Sequence, residues 1–296
     1  MIERKEKIKD TLIKALALGE RVRVYIVRNT DTANEACVRH DLWPSATSVL
    51  GKTMAIGLIM GGMLKGDEAL TIKIDGNGPI GTVVVDSNAK GEVRGYTERS
   101  HVNFTNKTGL DDVATLGYNG YIDVIKDLKL KDLFTSTIPL QTGDLAKDFT
   151  YYFTVSEQTP SVVALGSKVG EDNRAIICGG LAIQLLPNAL EEDITYIESK
   201  LHLISKMSEV LIENTNLEDI LKLLFDNDYR LLESNHVKFK CHCSKDHFAG
   251  GVATLSKKEI QEMIDKDGKA EVVCHYCGNH YYYSKEDLEK IIKGAK

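Results

Sequence analysis

Two cysteine motifs near the C-terminus constrain this chain more than any other feature. They are Cys241-His-Cys243 and, after thirty intervening residues, Cys274-His-Tyr-Cys277. Four of the six cysteines lie within these 37 residues, whereas the 240 residues before them hold only Cys37 and Cys178. Two close thiol pairs this far apart can converge on one tetrahedral ion, and Zn2+ accepts four thiolates without strain. Cys241, Cys243, Cys274 and Cys277 are therefore the expected ligands of a single zinc ion. The second pair is an ordinary CxxC knuckle; the first is tighter, with one residue between its thiols. His242, His247, His275 and His280 are alternative ligands nearby, but four cysteines already fill a tetrahedron. A closed site of this kind leaves no position for a reacting water and is structural rather than hydrolytic.

Charge narrows the partners. The whole chain carries a formal charge of -6, which argues against a dominant nucleic-acid surface. From His236 onward 11 Lys face 9 Asp and Glu, and four metal-bound thiolates bring that segment close to neutral. The first ten residues are charged throughout and carry no apolar signal segment. The longest apolar run, Thr53 to Leu64, is too short to span a bilayer. These features predict a cytoplasmic protein with no membrane or nucleic-acid partner. In that compartment clustered cysteines serve metal binding or redox sensing rather than structural disulfides.

At 296 residues the chain is long for one domain. The pattern predicts an α+β fold in three parts: a β-rich body with packed helices over residues 1–187, a helical linker over 188–228, and a small zinc-binding domain over 229–296. In the body, Val22, Val24 and Ile26 share one face of a strand. Thr32-x-x-Glu35 reads as a capping box for a helix through about His40. Pro44 suits the first turn of the next helix, which runs to about Met63. That helix is apolar on most sides, and Gly51, Gly57, Gly61 and Gly62 within it require close packing.

Leu70 to Ile74 alternates as a strand. Gly76-Asn-Gly-Pro-Ile-Gly81 then matches GxGxxG, but the β-branched segment Thr82 to Asp86 follows it. A dinucleotide fingerprint must open a helix, so the glycines are read as a turn in a β-meander. Further strands are expected over Glu92 to Thr97, Ile122 to Ile125, Ser136 to Leu140 and Ser161 to Gly166. Arg174 to Cys178 is another, broken at Gly179-Gly180 and resumed at Leu181 to Leu186. Thr142 or Asp144 caps a helix that Ser156-Glu157-Gln158-Thr159-Pro160 ends. Glu157 and Gln158 have no His, Cys or metal-ligand neighbour, so a structural or interface role is expected for them. Cys37 and Cys178 read as packing residues. No catalytic constellation appears, and the protein is not expected to be an enzyme.

Glu191 to Asn214 carries a helical apolar stripe including Ile194, Ile197, Leu201, Ile204 and Leu211. Thr215-x-x-Glu218 caps a further helix through Phe225. This segment is too apolar for a solvated linker and must dock on the body or on the cysteine domain. Beyond it, Tyr229 to Leu232 and Val237 to Lys240 are strand-like, Ser256-x-x-Glu259 caps a helix, and Ser284 caps the last one. A unit this small supplies only about 3–5 kcal/mol from its core, whereas a structural zinc contributes about 10–16 kcal/mol. Metal loss should therefore unfold it. A disulfide across one intervening residue closes a tight ring that is readily reduced again, which suits a reversible sensor. A ribbon that only stabilises its domain fits the spacing as well. A thiol oxidoreductase does not, because Cys274-His-Tyr-Cys277 follows a strand and faces a second thiol pair.

Several segments resemble, in order and spacing, the 33 kDa chaperonin family (HslO), redox-regulated bacterial holdase chaperones. They are Gly76 to Gly81, Gly91-Glu-Val-Arg-Gly-Tyr96, Tyr152 to Pro160, Gly179-Gly-Leu-Ala-Ile-Gln184, Leu224-Phe225 and the two cysteine motifs. The cysteine motifs are the most specific of these, and the first dozen residues the least. The resemblance implies a protein of the oxidative stress response, inactive while reduced and loaded with one zinc ion. Oxidant is then expected to form the disulfides Cys241-Cys243 and Cys274-Cys277, to release zinc, to unfold the C-terminal domain and to loosen the linker. The oxidised form is expected to homodimerise and to hold unfolded client proteins without ATP. The chain has no GxxxxGK[ST] sequence, in keeping with that expectation. The alternative is a constitutive zinc-ribbon binding module.

Overall fold

The computed structural model describes residues 8–107 and 109–294. The chain forms two compact units, Met1–Lys240 and Cys241–Lys296. The first is built on two sheets. One comprises β1 (Thr11–Ala17), β2 (Val22–Arg28), β10 (Ser161–Val169), β11 (Ala175–Leu185) and β12 (Tyr229–His236), in the order β10-β11-β2-β1-β12, all antiparallel. The other comprises β3 (Ala69–Asp75), β4 (Val83–Asn88), β5 (Glu92–Thr97), β8 (Tyr121–Asp127), β9 (Phe134–Pro139) and β13 (Lys238–Phe239). Its order is β13-β5-β4-β3-β8-β9, with only the β13–β5 pair parallel. A small hairpin, β6 (Thr105–Asn106) with β7 (Gly109–Leu110), completes the strands of this unit among the described residues.

Helix α1 (Thr30–His40) leads into α2 (Pro44–Gly61), which packs against strands of both sheets; α3 (Asp112–Leu116) and α4 (Leu145–Val155) follow later. Apart from Pro44 and Lys52, every residue of α2 is buried, which explains its apolar character on most sides. Its glycines permit that packing: a Cβ at Gly51 would lie 2.9 Å from Cys178 Sγ, and one at Gly61 2.8 Å from the Asn88 carbonyl. Leu50, Met54 and Ile56 of α2 join Ile72, Val85, Phe149 and Tyr152 in one core cluster. Glu157 closes the end of α4, accepting the Tyr152 hydroxyl and the Lys126 ammonium, each at 2.6 Å. Gly81 is followed by β4, as the turn reading requires.

The expected linker is a layer of this same unit. It consists of α5 (Glu191–Ser199), α6 (Leu201–Ile204), α7 (Met207–Glu213) and α8 (Leu217–Phe225). Ile197, Met207, Leu211, Ile220, Leu221 and Phe225 form a second core cluster with Ile13, Val24, Ile26 and Leu181 of the first sheet. β2 therefore buries both faces, Val22, Val24 and Ile26 toward the layer and Tyr25 and Val27 toward α2. Two arginines from this strand region clamp the layer. Arg21 grips Asp193 with two bonds of 2.7 Å. The buried Arg28 guanidinium donates to the carbonyls of Leu211, Asn214 and Thr215 near the C-terminal end of α7.

The domain boundary differs from the expectation. Residues 229–240 do not begin the cysteine unit: β12 pairs along β1 from Thr11↔His236 to Ala17↔Tyr229, and β13 pairs with β5. The division falls between Lys240 and Cys241 rather than at residue 229. Their strand character was legible, but their partners lie more than a hundred residues away. β1 itself was not expected. Gly179 and Gly180 do not break β11, which runs continuously through them. The capping box at Thr32 is also absent. Asp10 instead accepts Asp31 N, Thr32 N and the Thr32 hydroxyl, capping α1 from outside the helix.

Candidate metal centre

The second unit contains α9 (Lys245–Val252), α10 (Lys257–Asp267), β14 (Lys269–Val273), β15 (His280–Ser284) and α11 (Lys285–Gly294). Ser256 and Glu259 make the expected capping box of α10, and Ser284 Oγ accepts Asp287 N at the start of α11. β14 and β15 pair in one antiparallel hairpin. Its connection is the CxxC knuckle: Cys274 N donates to Asn279 O, and Cys277 N and Gly278 N both donate to Cys274 O. Gly278 takes φ +69°, which favours glycine at the end of this turn. The CxC pair follows β13, and Cys243 directly precedes Ser244, the N-cap of α9. That helix was not anticipated from the sequence.

The four sulfurs converge. All four Sγ atoms lie within 4.8 Å of one another. Cys241 Sγ is 3.7 Å from Cys274 Sγ, and Cys243 Sγ is 3.3 Å from Cys277 Sγ, so a thiol of each motif faces one of the other. All are free thiols; Cys274 and Cys277 are buried, and the CxC pair is half-buried. Burial pushes the Cys274 and Cys277 thiols above the ordinary range, against backbone N–H bonds that lower both. Four thiols this close therefore resist ionising together unless a cation offsets their charge, so the cluster is suited to hold a metal ion.

No histidine enters the cluster among the described residues. His280 Nδ1 pairs with Glu271, and the His247 ring lies edge-on to Phe248. Cys178 is fully buried, which pushes its thiol up to about 12, and Cys37 Sγ lies near the carbonyls of Asn173 and Leu42. Both belong to the first unit and pack there, as their sequence setting suggested.

A family model described as Hsp33 protein matches residues 10–284. The chain belongs to the Hsp33 family. Relatives named 33 kDa chaperonin include one from Geobacillus sp. (strain WCH70), 47% identical over 95% of this chain and 97% of the relative. Another, from Bacillus subtilis (strain 168), is 45% identical over 95% of this chain and 98% of its own length. The crystal structure of the 33 kDa chaperonin from Thermotoga maritima superposes with a TM-score of 0.89 at 34% identity, covering 97% of this chain and 98% of that one. Membership agrees with the resemblance read from the motifs, and it places this α+β chain in a family of chaperones.

One residue of this Hsp33 site escaped the sequence reading. The Tyr281 hydroxyl lies 3.1 Å from both Cys243 Sγ and Cys243 O. The Tyr281-Tyr282-Tyr283 run held the signal, because alternation in a strand puts Tyr281 and Tyr283 on one face. Tyr283 is buried and donates to Lys245 O, whereas Tyr282 is exposed. Among the described residues no helix is long and apolar enough to cross a membrane.

Proposed function

We propose that this protein is a redox-regulated, ATP-independent holdase chaperone of the cytoplasm. In the reduced state Cys241, Cys243, Cys274 and Cys277 hold one zinc ion. The supporting observation is the convergence of four free thiols within 4.8 Å in a unit with little core of its own. The fit to zinc is geometric: Zn–S bonds of about 2.3 Å in a tetrahedron imply sulfur separations of about 3.8 Å. The 3.3 and 3.7 Å separations across the motifs lie near that value. Zinc would supply the positive charge that lets buried thiols remain ionised.

Peroxide then withdraws two electrons from each thiol pair. One sulfur attacks a peroxide oxygen, the O–O bond breaks and hydroxide leaves. The second sulfur attacks the resulting sulfenic acid, an S–S bond forms and a second hydroxide leaves; two protons convert both to water. The pairs are Cys241-Cys243 and Cys274-Cys277, following the family resemblance. Thiols tied up in disulfides no longer hold the ion, and the C-terminal unit unfolds. Cys241 directly follows Lys240, so the disturbance reaches β13, β12 and then the helical layer along the chain. Lifting that layer uncovers Ile13, Val24, Ile26 and Leu181. Apolar area is worth about 25 cal/mol per Å² and is non-directional, as binding of varied unfolded proteins requires. The oxidised protein acts as a homodimer.

The test measures zinc release and suppression of client aggregation before and after peroxide. Suppression is expected only after oxidation and in step with zinc release. Equal suppression in both states would favour a constitutive zinc-ribbon module instead.

A further inference from the structure

We propose that Tyr281 sets how readily the Cys243 sulfur reacts with an oxidant, by keeping a hydrogen bond on it; this rests on reading the quartet as an oxidisable metal site. Tyr281 lies on β15 opposite Val272 of β14. Its hydroxyl reaches the sulfur and the carbonyl of the same residue, Cys243, both at 3.1 Å. The ring is held in place from its other side. Ser244 caps α9 immediately after Cys243, and the helix brings Phe248 back against Tyr281, with ring centroids 5.4 Å apart. The chain thus leaves the ligand, turns one helical turn and packs an aromatic ring on the residue that bonds to that ligand. The single Tyr281 hydroxyl proton is shared between this sulfur and the Cys243 carbonyl, whereas Tyr283, on the same face, places its hydroxyl on Lys245 O.

The chemistry follows from what a sulfur lone pair can do. Four thiolates around one divalent ion retain a net charge of about -2, and each donor aimed at a sulfur spreads that charge. A lone pair engaged by a hydroxyl is less available to attack. When Cys243 Sγ attacks hydrogen peroxide, that lone pair becomes the new S–O bond, the O–O bond breaks and hydroxide leaves. The Tyr281 hydrogen bond must loosen for this to happen, so it raises the barrier to the step. Cys274 and Cys277 receive backbone N–H groups, from Tyr276 and Cys277 and from Asn279 respectively. No side-chain substitution deletes those donors, whereas the donor on Cys243 is a side chain and can be removed.

The experiment uses the full chain, reduced and zinc-loaded. Iodoacetamide modification of each cysteine is followed by mass spectrometry, and zinc release under peroxide by a zinc dye. Tyr281→Phe is expected to accelerate modification of Cys243 about 3- to 10-fold, the effect of one charge-assisted hydrogen bond partly replaced by water. Cys274 should keep its wild-type rate, zinc release should quicken, and the Tyr282→Phe control should change neither. Replacing Tyr281 by 3-fluorotyrosine, whose hydroxyl is a stronger donor, should slow modification of Cys243 below wild type. This second protein carries the test if the Phe variant loses its zinc. An unchanged or slower Cys243 rate in Tyr281→Phe, or a 3-fluorotyrosine protein no slower than wild type, would overturn the proposal. Alkylation rates do not depend on chaperone activity. Oxidised wild type that fails to suppress aggregation therefore refutes the functional reading alone.

Discussion

Among the described residues, Met1–Lys240 buries two large hydrophobic clusters, one around α2 and one beneath the helical layer, with Tyr25, Phe149, Tyr152, Phe153 and Phe225 among their largest members. Cys241–Lys296 buries one small cluster: Val252, Ile260, Ile264, Tyr283 and Leu288. The first unit can be held by packing alone. The second has a core of the size that leaves at most about 3–5 kcal/mol of net stability without further support. Its four thiols supply that support only while something positive binds them. The contrast teaches where the proposed switch would sit: in the unit with the smaller core, joined through the chain to a unit with larger ones.

The largest expected effect comes from removing the metal. Chelation, or Cys277→Ser, should withdraw about 10–16 kcal/mol of apparent support from the second unit. Amide protection measured by hydrogen exchange should collapse across α10, β14 and β15 and persist in α2 and β2. If protection in the second unit survived, its small core would be sufficient and the contrast would be wrong.

The next effect lies in the helical layer. Ile220 is fully buried against the first sheet, so Ile220→Ala should cost about 2–5 kcal/mol. Denaturant unfolding of the first unit should shift to lower concentration while zinc affinity stays at the wild-type value. The reduced variant should also suppress some client aggregation. A stability loss with no gain in suppression would detach the layer from client binding and sharpen the role of the C-terminal unit.

The smallest effect concerns acid. The Arg21 hydrogen bonds, set against burial, hold the Asp193 carboxyl below its usual range. A group depressed in the folded state contributes stability that is complete above its unfolded value near 3.8 and is lost as pH falls through the lower folded value. The clamp on α5 should therefore persist to about pH 4 and release below it. Asp193→Asn should flatten that part of the pH dependence of layer unfolding, followed by tryptophan-independent probes such as site-specific exchange in α5. Identical acid profiles for variant and wild type would show that the clamp carries no stability.

Local features were readable because their causes are local. The buried α2 follows from Pro44 at its start and the apolar run from Thr53 onward, the β4 turn from glycines followed by β-branched residues, and the α10 cap from Ser256 and Glu259. The cysteine quartet was readable as a candidate because each short motif brings two thiols close by spacing, while the fold brings the two motifs together. The sequence by itself thus determined the α+β class, the thiol set and the need of the apolar helices for a docking surface. Only the tertiary structure decided where that surface lies and where the first unit ends. β12 finds its partner in β1, and Arg28 finds the carbonyls of α7, across more than 180 residues. Asp10 displaced a local capping box because a buried carboxylate with three donors outcompetes an exposed glutamate. The approach of Tyr281 to Cys243 depends on the β14–β15 hairpin and the fold of α9 together, so no single stretch of sequence encodes it.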